Sequence, residues 1–169
     1  MNRLADLEKI LDVEYKRLGF FQLKISEGVS ADQEFYNTQQ INNYIMPRIR
    51  QYEEEYWSIL AAEAPSCEVA ELDASYALVE VVPKIERIVN QSSTKYPDEL
   101  MQKLQEILDK LNEPKTPAAA KLKAALPLVP FIMYYELELD TEILLRRVFE
   151  RMRQLFKKAI DEKEKKTHK

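Results

Sequence analysis

A mostly α fold is predicted by three properties of this sequence. Apolar residues recur at spacings of three and four along most of its 169 positions, only two glycines interrupt them, and 46% hydrophobic residues are balanced by 32% charged ones. The spacing lines apolar side chains along one side of a helix, and the balance is that of a folded chain long enough to bury a core. The expected layout is a long antiparallel helical hairpin over residues 1–64 followed by a helical bundle over 65–169.

Two stripes predict the hairpin. Leu4, Leu7, Leu11, Leu18, Phe21 and Ile25 share one heptad register, with Glu14 as the only break, and such a stripe wants a partner helix. Gly28 can take the left-handed conformation that ends helices. Ser30, with Gln33 three residues on, has the pattern of a capping box that starts the next one. Phe35, Ile45, Ile49, Tyr52, Tyr56 and Ile59 carry the return stripe, and Asn42 stands at an a-like position, where a polar side chain tends to set register. Pro47 is expected to kink this helix, because it lacks the N–H and crowds the carbonyl four residues earlier.

Beyond a break at Ala64-Pro65-Ser66, Val69, Leu72, Tyr76 and Val79 resume helical spacing, and Pro83 predicts a kink or short break before Ile85, Ile88 and Val89. Gln91 to Thr94 reads as a loop. Pro97 suits the first turn of the next helix, whose core face is Leu100, Leu104, Ile107, Leu108 and Leu111. After a linker from Asn112 to Pro117, Thr116-Pro117 opens an alanine-rich helix that ends before Pro127. The pattern then turns to period two, with Tyr135, Leu137 and Leu139 opposite Tyr134, Glu136 and Glu138, which predicts a short strand near 132–139. Such a strand has to pair with another segment or another chain. Asp140 is expected to cap a last helix that buries Leu144, Val148, Leu155, Phe156, Ala159 and Ile160 and frays from Asp161 onward, where nearly every residue is charged.

The side-chain inventory argues against enzymes. His168 is the one histidine, Cys67 the one cysteine, and Gly19 and Gly28 stand apart. A phosphate-cradling loop needs clustered glycines, a nucleophilic triad needs a base near the nucleophile, and zinc needs three or four ligands. No catalytic residue, cofactor or metal site is therefore expected. Glu53, Glu54 and Glu55 form the densest carboxylate run, but helix neighbours point about 100° apart, so a solvated face is the expectation for them. Cys67 is expected to be buried or incidental.

No apolar run reaches the roughly 20 residues of a membrane span, since the longest, Ala124 to Tyr135, contains Pro127 and Pro130. The start goes straight into charged amphipathic sequence, which argues against a signal peptide and makes the cytoplasm the expected location. The net charge of −4 argues against nucleic acid, and no small-molecule substrate is inferred.

What remains is surface. Tyr36, Tyr44, Tyr52, Tyr56 and Trp57 lie on several sides of one helix, more than a two-helix hairpin can cover, and exposed Tyr and Trp favour interfaces. The last helix carries Arg147, Arg151 and Lys158 along one strip, with Arg146, Arg153 and Lys157 nearby; most such strips are simply solvated. The residues expected to bind a partner are Tyr44, Tyr52, Tyr56, Trp57, Tyr135, Arg147 and Arg151. The expected function is a non-enzymatic adaptor or regulatory module binding a protein partner or a second copy. Two alternatives stand beside it: a membrane-active bundle engaging anionic lipid through Leu126 to Tyr135 and the basic helix, and a carboxylate-dependent metal enzyme built on Glu136, Glu138, Asp140 and Glu142.

The run Ala120-Lys121-Leu122-Lys123-Ala124-Ala125-Leu126-Pro127-Leu128-Val129-Pro130, followed by Tyr135 to Glu142 and Arg147-Val148-Phe149, resembles a block in cyanobacterial signalling proteins, where it accompanies NTPase, pentapeptide-repeat or other effector modules. Leu7-Glu8, Tyr15, Leu18 and Tyr52-Glu53 resemble the effector-associated helical regions of those proteins. The sequence departs from them in showing no effector module beside these helices. The resemblance implies an adaptor or assembly role in a signalling or defence system and supplies no catalytic residues.

Overall fold

The computed structural model describes residues 2–90, 96–136 and 143–167, with 135–136 and 143–145 described as backbone only. The fold is mostly α. Helix α1 spans Arg3–Ser26, α2 Ala31–Gln40 and α3 Met46–Glu63, with a π-helical turn at Ile41–Ile45 joining the last two. A 3₁₀ turn at Ala64–Ser66 leads to α4, Glu71–Asn90; α5 is Asp98–Leu111 and α6 Ala118–Ala125. A second 3₁₀ turn at Leu126–Leu128 precedes α7, Val129–Glu136, and the chain closes with α8, Ile143–Val148, and α9, Glu150–Thr167. The helices form two compact units, Met1–Tyr56 and Trp57–Lys169. The boundary falls inside α3 and not at residue 64, because from Trp57 onward the helix supplies side chains to the second core: Trp57 meets Phe149 edge-on, with ring centroids 6.2 Å apart.

In the first unit the ends of the helices follow local chemistry. Asn2 accepts a hydrogen bond from the Ala5 N–H to cap α1, Gly28 takes φ 76° just past its end, and the Ser30 hydroxyl accepts from the Gln33 N–H at 3.3 Å. Helix α1 packs on α2 and on the π turn, burying Leu4, Leu7, Leu11 and Leu18, while Phe21 and Ile25 are only half-buried.

Pro47 acts through the π turn. Its carbonyl neighbour four residues back would be crowded in an α-helix; instead the turn before it widens, and the Met46 N–H donates to the Ile41 carbonyl, five residues away. One extra residue per turn rotates everything upstream. The return stripe therefore holds for Ile45, Ile49 and Tyr56 but not before them: Phe35 is 67% exposed, Asn42 is exposed, and the buried polar residue of α2 is Asn37.

The second unit has a more apolar core. Helix α4 packs on α5, α6, α8 and α9, and it stays one helix through Pro83. The turns on either side are held by Val81 and Ile85, both fully buried, while the carbonyl to which Pro83 cannot donate belongs to Val79, on the exposed side. The stripe Leu72, Tyr76 and Val79 is not the buried one. Those residues are 65%, 55% and 71% exposed, and the opposite side, Ala74, Ala77, Val81, Ile85 and Ile88, faces the core, where small side chains let neighbouring helices approach closely.

Helix α5 buries Leu100, Leu104, Ile107, Leu108 and Leu111, as its periodicity predicts. The first turn of α6 is capped from a distance: the Glu71 carboxylate accepts from the Ala118 N–H and from the Ala119 N–H, satisfying donors that a helix start leaves unpaired. The expected strand near 132–139 is helical as far as Glu136, and residues 137–142 lie outside the described residues. Val129, Ile132 and Met133 recur at helical spacing and are buried, so burial of that triplet overrides the alternation. The expected last helix is two, separated at Phe149, whose ring is fully buried and whose carbonyl accepts from the Arg153 N–H. The charged end stays helical to Thr167, with Lys157 paired to Asp161 at 3.5 Å. Asp140 and Leu144 fall outside the described residues and side chains, while Leu155 is half-buried.

Candidate functional site

The first unit carries the polar chemistry. Tyr15 donates to the Glu53 carboxylate and Tyr56 to the Glu8 carboxylate, both at 2.9 Å. Arg3 holds Glu55 through two bonds of 2.8 and 2.9 Å. That charge-assisted fork keeps the Glu55 carboxyl below the usual carboxylate range, its hydrogen bond to Arg3 being the main cause. The triple glutamate is thus not one solvated face. Glu53 is 2% exposed and bonded inside, Glu55 is partly exposed but paired across the hairpin, and Glu54 is exposed.

Glu14, the break in the first stripe, is also buried, at 6% exposure. Its Oε1 faces the Nη1 atoms of Arg17 at 3.4 Å and Arg48 at 3.8 Å, and its Oε2 has no hydrogen-bond partner among the described residues. Beside this trio lies a recess of about 430 Å³ lined by Arg17, Phe21, Gln40, Tyr44, Ile45 and Arg48. Three of those residues belong to the π turn or its edge, so the backbone feature that accommodates Pro47 also shapes the recess. None of Arg17, Arg48, Phe21 or Gln40 is expected from the sequence as a site residue; the one signal that could have found them is Glu14, a charge in an apolar register.

The sequence-derived binding residues separate. Tyr44 is 53% exposed and walls the recess, and Tyr52 is half-buried. Tyr56 and Trp57 are core side chains, 0% and 1% exposed: Tyr56 bonds Glu8 within the first unit, and Trp57 packs on Phe149 within the second. The Tyr135 backbone is in α7 and its side chain lies outside the described ones. Arg147 and Arg151 are exposed but sit on α8 and α9, so the basic strip is not one helix face. The same hairpin also exposes Phe20 at 55%, Leu23 at 57%, Phe35 at 67% and Tyr36 at 58%.

In the second unit, the Lys163 ammonium donates to the Ser66 hydroxyl and the Lys123 ammonium to the Cys67 carbonyl, each at 2.6 Å. Cys67 is buried, which pushes its thiol pKa up; a thiol held protonated is a poor nucleophile. Lys163 is exposed and its Ser66 partner already donates to the Glu63 carbonyl, so the pair anchors α9 to the turn after α3. Among the described residues no group of His, Cys, Asp and Glu is placed to hold a metal ion, and no helix is long and apolar enough to cross a membrane. Glu138, Asp140 and Glu142 lie outside the described residues, and of Glu136 only the backbone is described. Comparison with family models, with curated proteins and with solved structures finds no match for this chain.

Proposed function

We propose that this chain is a non-enzymatic interaction module that docks a protein partner, or a second copy of itself, through the outer part of its N-terminal hairpin. The carrying observation is the group Phe20, Leu23, Phe35, Tyr36 and Tyr44, all more than half exposed. Large aromatic side chains left in water forgo burial worth about 1.5–3 kcal/mol each, and aromatic anchors of this kind dominate protein interfaces. Buried Tyr56 and Trp57 drop out as anchors, and Tyr44 stays. The placement of such a module in a signalling or defence system rests on the sequence resemblance alone.

Absolute mass by size-exclusion chromatography with light scattering, over a wide concentration range, tests the self-docking form. An assembly that the double substitution Phe35→Ser, Tyr36→Ser dissolves, with helicity retained by circular dichroism, supports it. A monomer at every concentration, or an assembly indifferent to that pair, overturns it and turns the search to a different protein as partner.

A further inference from the structure

We propose that the recess beside the π turn binds a monoanionic carboxylate carried on an apolar, aromatic body. Arg17 and Arg48 both meet Glu14 through Nη1 at a single carboxylate oxygen, and at distances too long for strong bonds. A guanidinium has five N–H donors in a planar fork; among the described residues the remaining donors of Arg17 and Arg48 have no protein partner. Two cations against one anion leave a single positive charge uncompensated. A monoanion balances it, whereas a phosphate monoester dianion would overshoot.

The rest of the wall defines the body of the ligand. Phe21, Ile45 and the ring of Tyr44 are apolar surface, and Gln40 adds one amide. The volume, about 430 Å³, falls in the range of small-ligand sites. Carboxylate oxygens match the guanidinium fork in pairs, and an aromatic ring suits the apolar wall to which Phe21 and Tyr44 contribute. Glu14 is the positioning residue: it holds two like charges at one place before any ligand arrives. Two sources offer this chemistry, a free small aromatic acid and the C-terminal carboxylate of a chain ending in an aromatic residue. The inference is independent of whether the hairpin docks a protein.

The test is a titration of the isotope-labelled full chain followed by backbone amide NMR, with N-acetyl-L-phenylalanine as the probe and its carboxamide as the control. Saturable shifts at Arg17, Phe21, Gln40, Tyr44, Ile45 and Arg48, weakened about tenfold or more for the amide, are expected, since that is the scale of a lost charge-assisted hydrogen bond. Arg48→Gln is expected to weaken the acid by about the same factor. Equal binding of acid and amide overturns the proposal, as does the absence of saturable shifts at these residues. Because the amide control uses the unsubstituted protein, the result stands even if Arg48→Gln unfolds. A tetrapeptide Gly-Gly-Gly-Phe with a free C-terminus separates the sources: tighter binding than the blocked amino acid supports a chain end, weaker binding a free acid.

Discussion

The two compact units solve the same problem, covering helices, with different materials. The unit ending at Lys169 buries large apolar rings and branched side chains, Trp57 against Phe149 with Phe156, Ile85, Leu104 and Ile107. The unit ending at Tyr56 contains the buried polar residues found among the described ones, Glu14, Asn37 and Glu53, while both units leave large apolar side chains in water, Phe35 and Tyr36 in the first and Leu72 and Val79 in the second. Apolar burial scales with area and has little directional preference, so it stabilises without choosing among registers. Buried Tyr–Glu pairs contribute little net energy but are costly to misalign. We read the first unit as the one where register is specified and the second as the one where stability resides.

The sharpest challenge to that contrast is Phe149→Ala. Loss of a fully buried ring costs about 3–5 kcal/mol, and the single Trp57 beside it reports the second unit directly by fluorescence. A denaturation midpoint shifted by that much is expected; a change no larger than that of Val79→Ser, an exposed position where about 0.5 kcal/mol or less is expected, would mean the second core is not the stability reservoir.

Tyr15→Phe asks the complementary question. It removes the hydroxyl that donates to buried Glu53, and a buried acceptor deprived of a donor costs about 1–3 kcal/mol. Pairing it with Glu53→Gln in a double-mutant cycle isolates the coupling. A coupling near zero would remove the polar register argument.

The smallest effect expected is the pH dependence of Arg3–Glu55. Because the folded state holds the Glu55 carboxyl below its ordinary value, its contribution is present above the unfolded pKa and is lost as pH falls through the depressed folded one. Both side chains are partly exposed, so the pair is worth little. Thermal midpoints measured from neutral to acid pH are expected to show a slight advantage of the native chain over Glu55→Gln that vanishes at the acid end.

Much of this molecule was legible in its sequence. The class, the helix ends at Gly28 and Ser30, the core face of α5 and the end of α6 before Pro127 all follow from interactions within a few residues. Harder were the places where one residue satisfies two periodicities or none. Leu72, Tyr76 and Val79 form a fair stripe, yet Ala74 and Ala77 form the other, and only the neighbours of α4 decide that closeness of approach outweighs side-chain size. The recess was not read from the sequence: Glu14 stood out only as a break in an apolar register, Arg17 and Arg48 are 31 positions apart, and nothing local says that they share an oxygen.

By itself the sequence determined that the chain is helical, where most helices begin and end, and which chemistries lack their side chains, since propensity, capping and composition act over a turn or less. Tertiary structure alone decided which face of α4 is core, that Pro47 is accommodated by a π turn, that Tyr56 and Trp57 lie inside, and that a buried glutamate gathers two arginines beside an aromatic recess. Those outcomes depend on burial and on Coulomb terms between residues far apart in the chain, which no local pattern encodes.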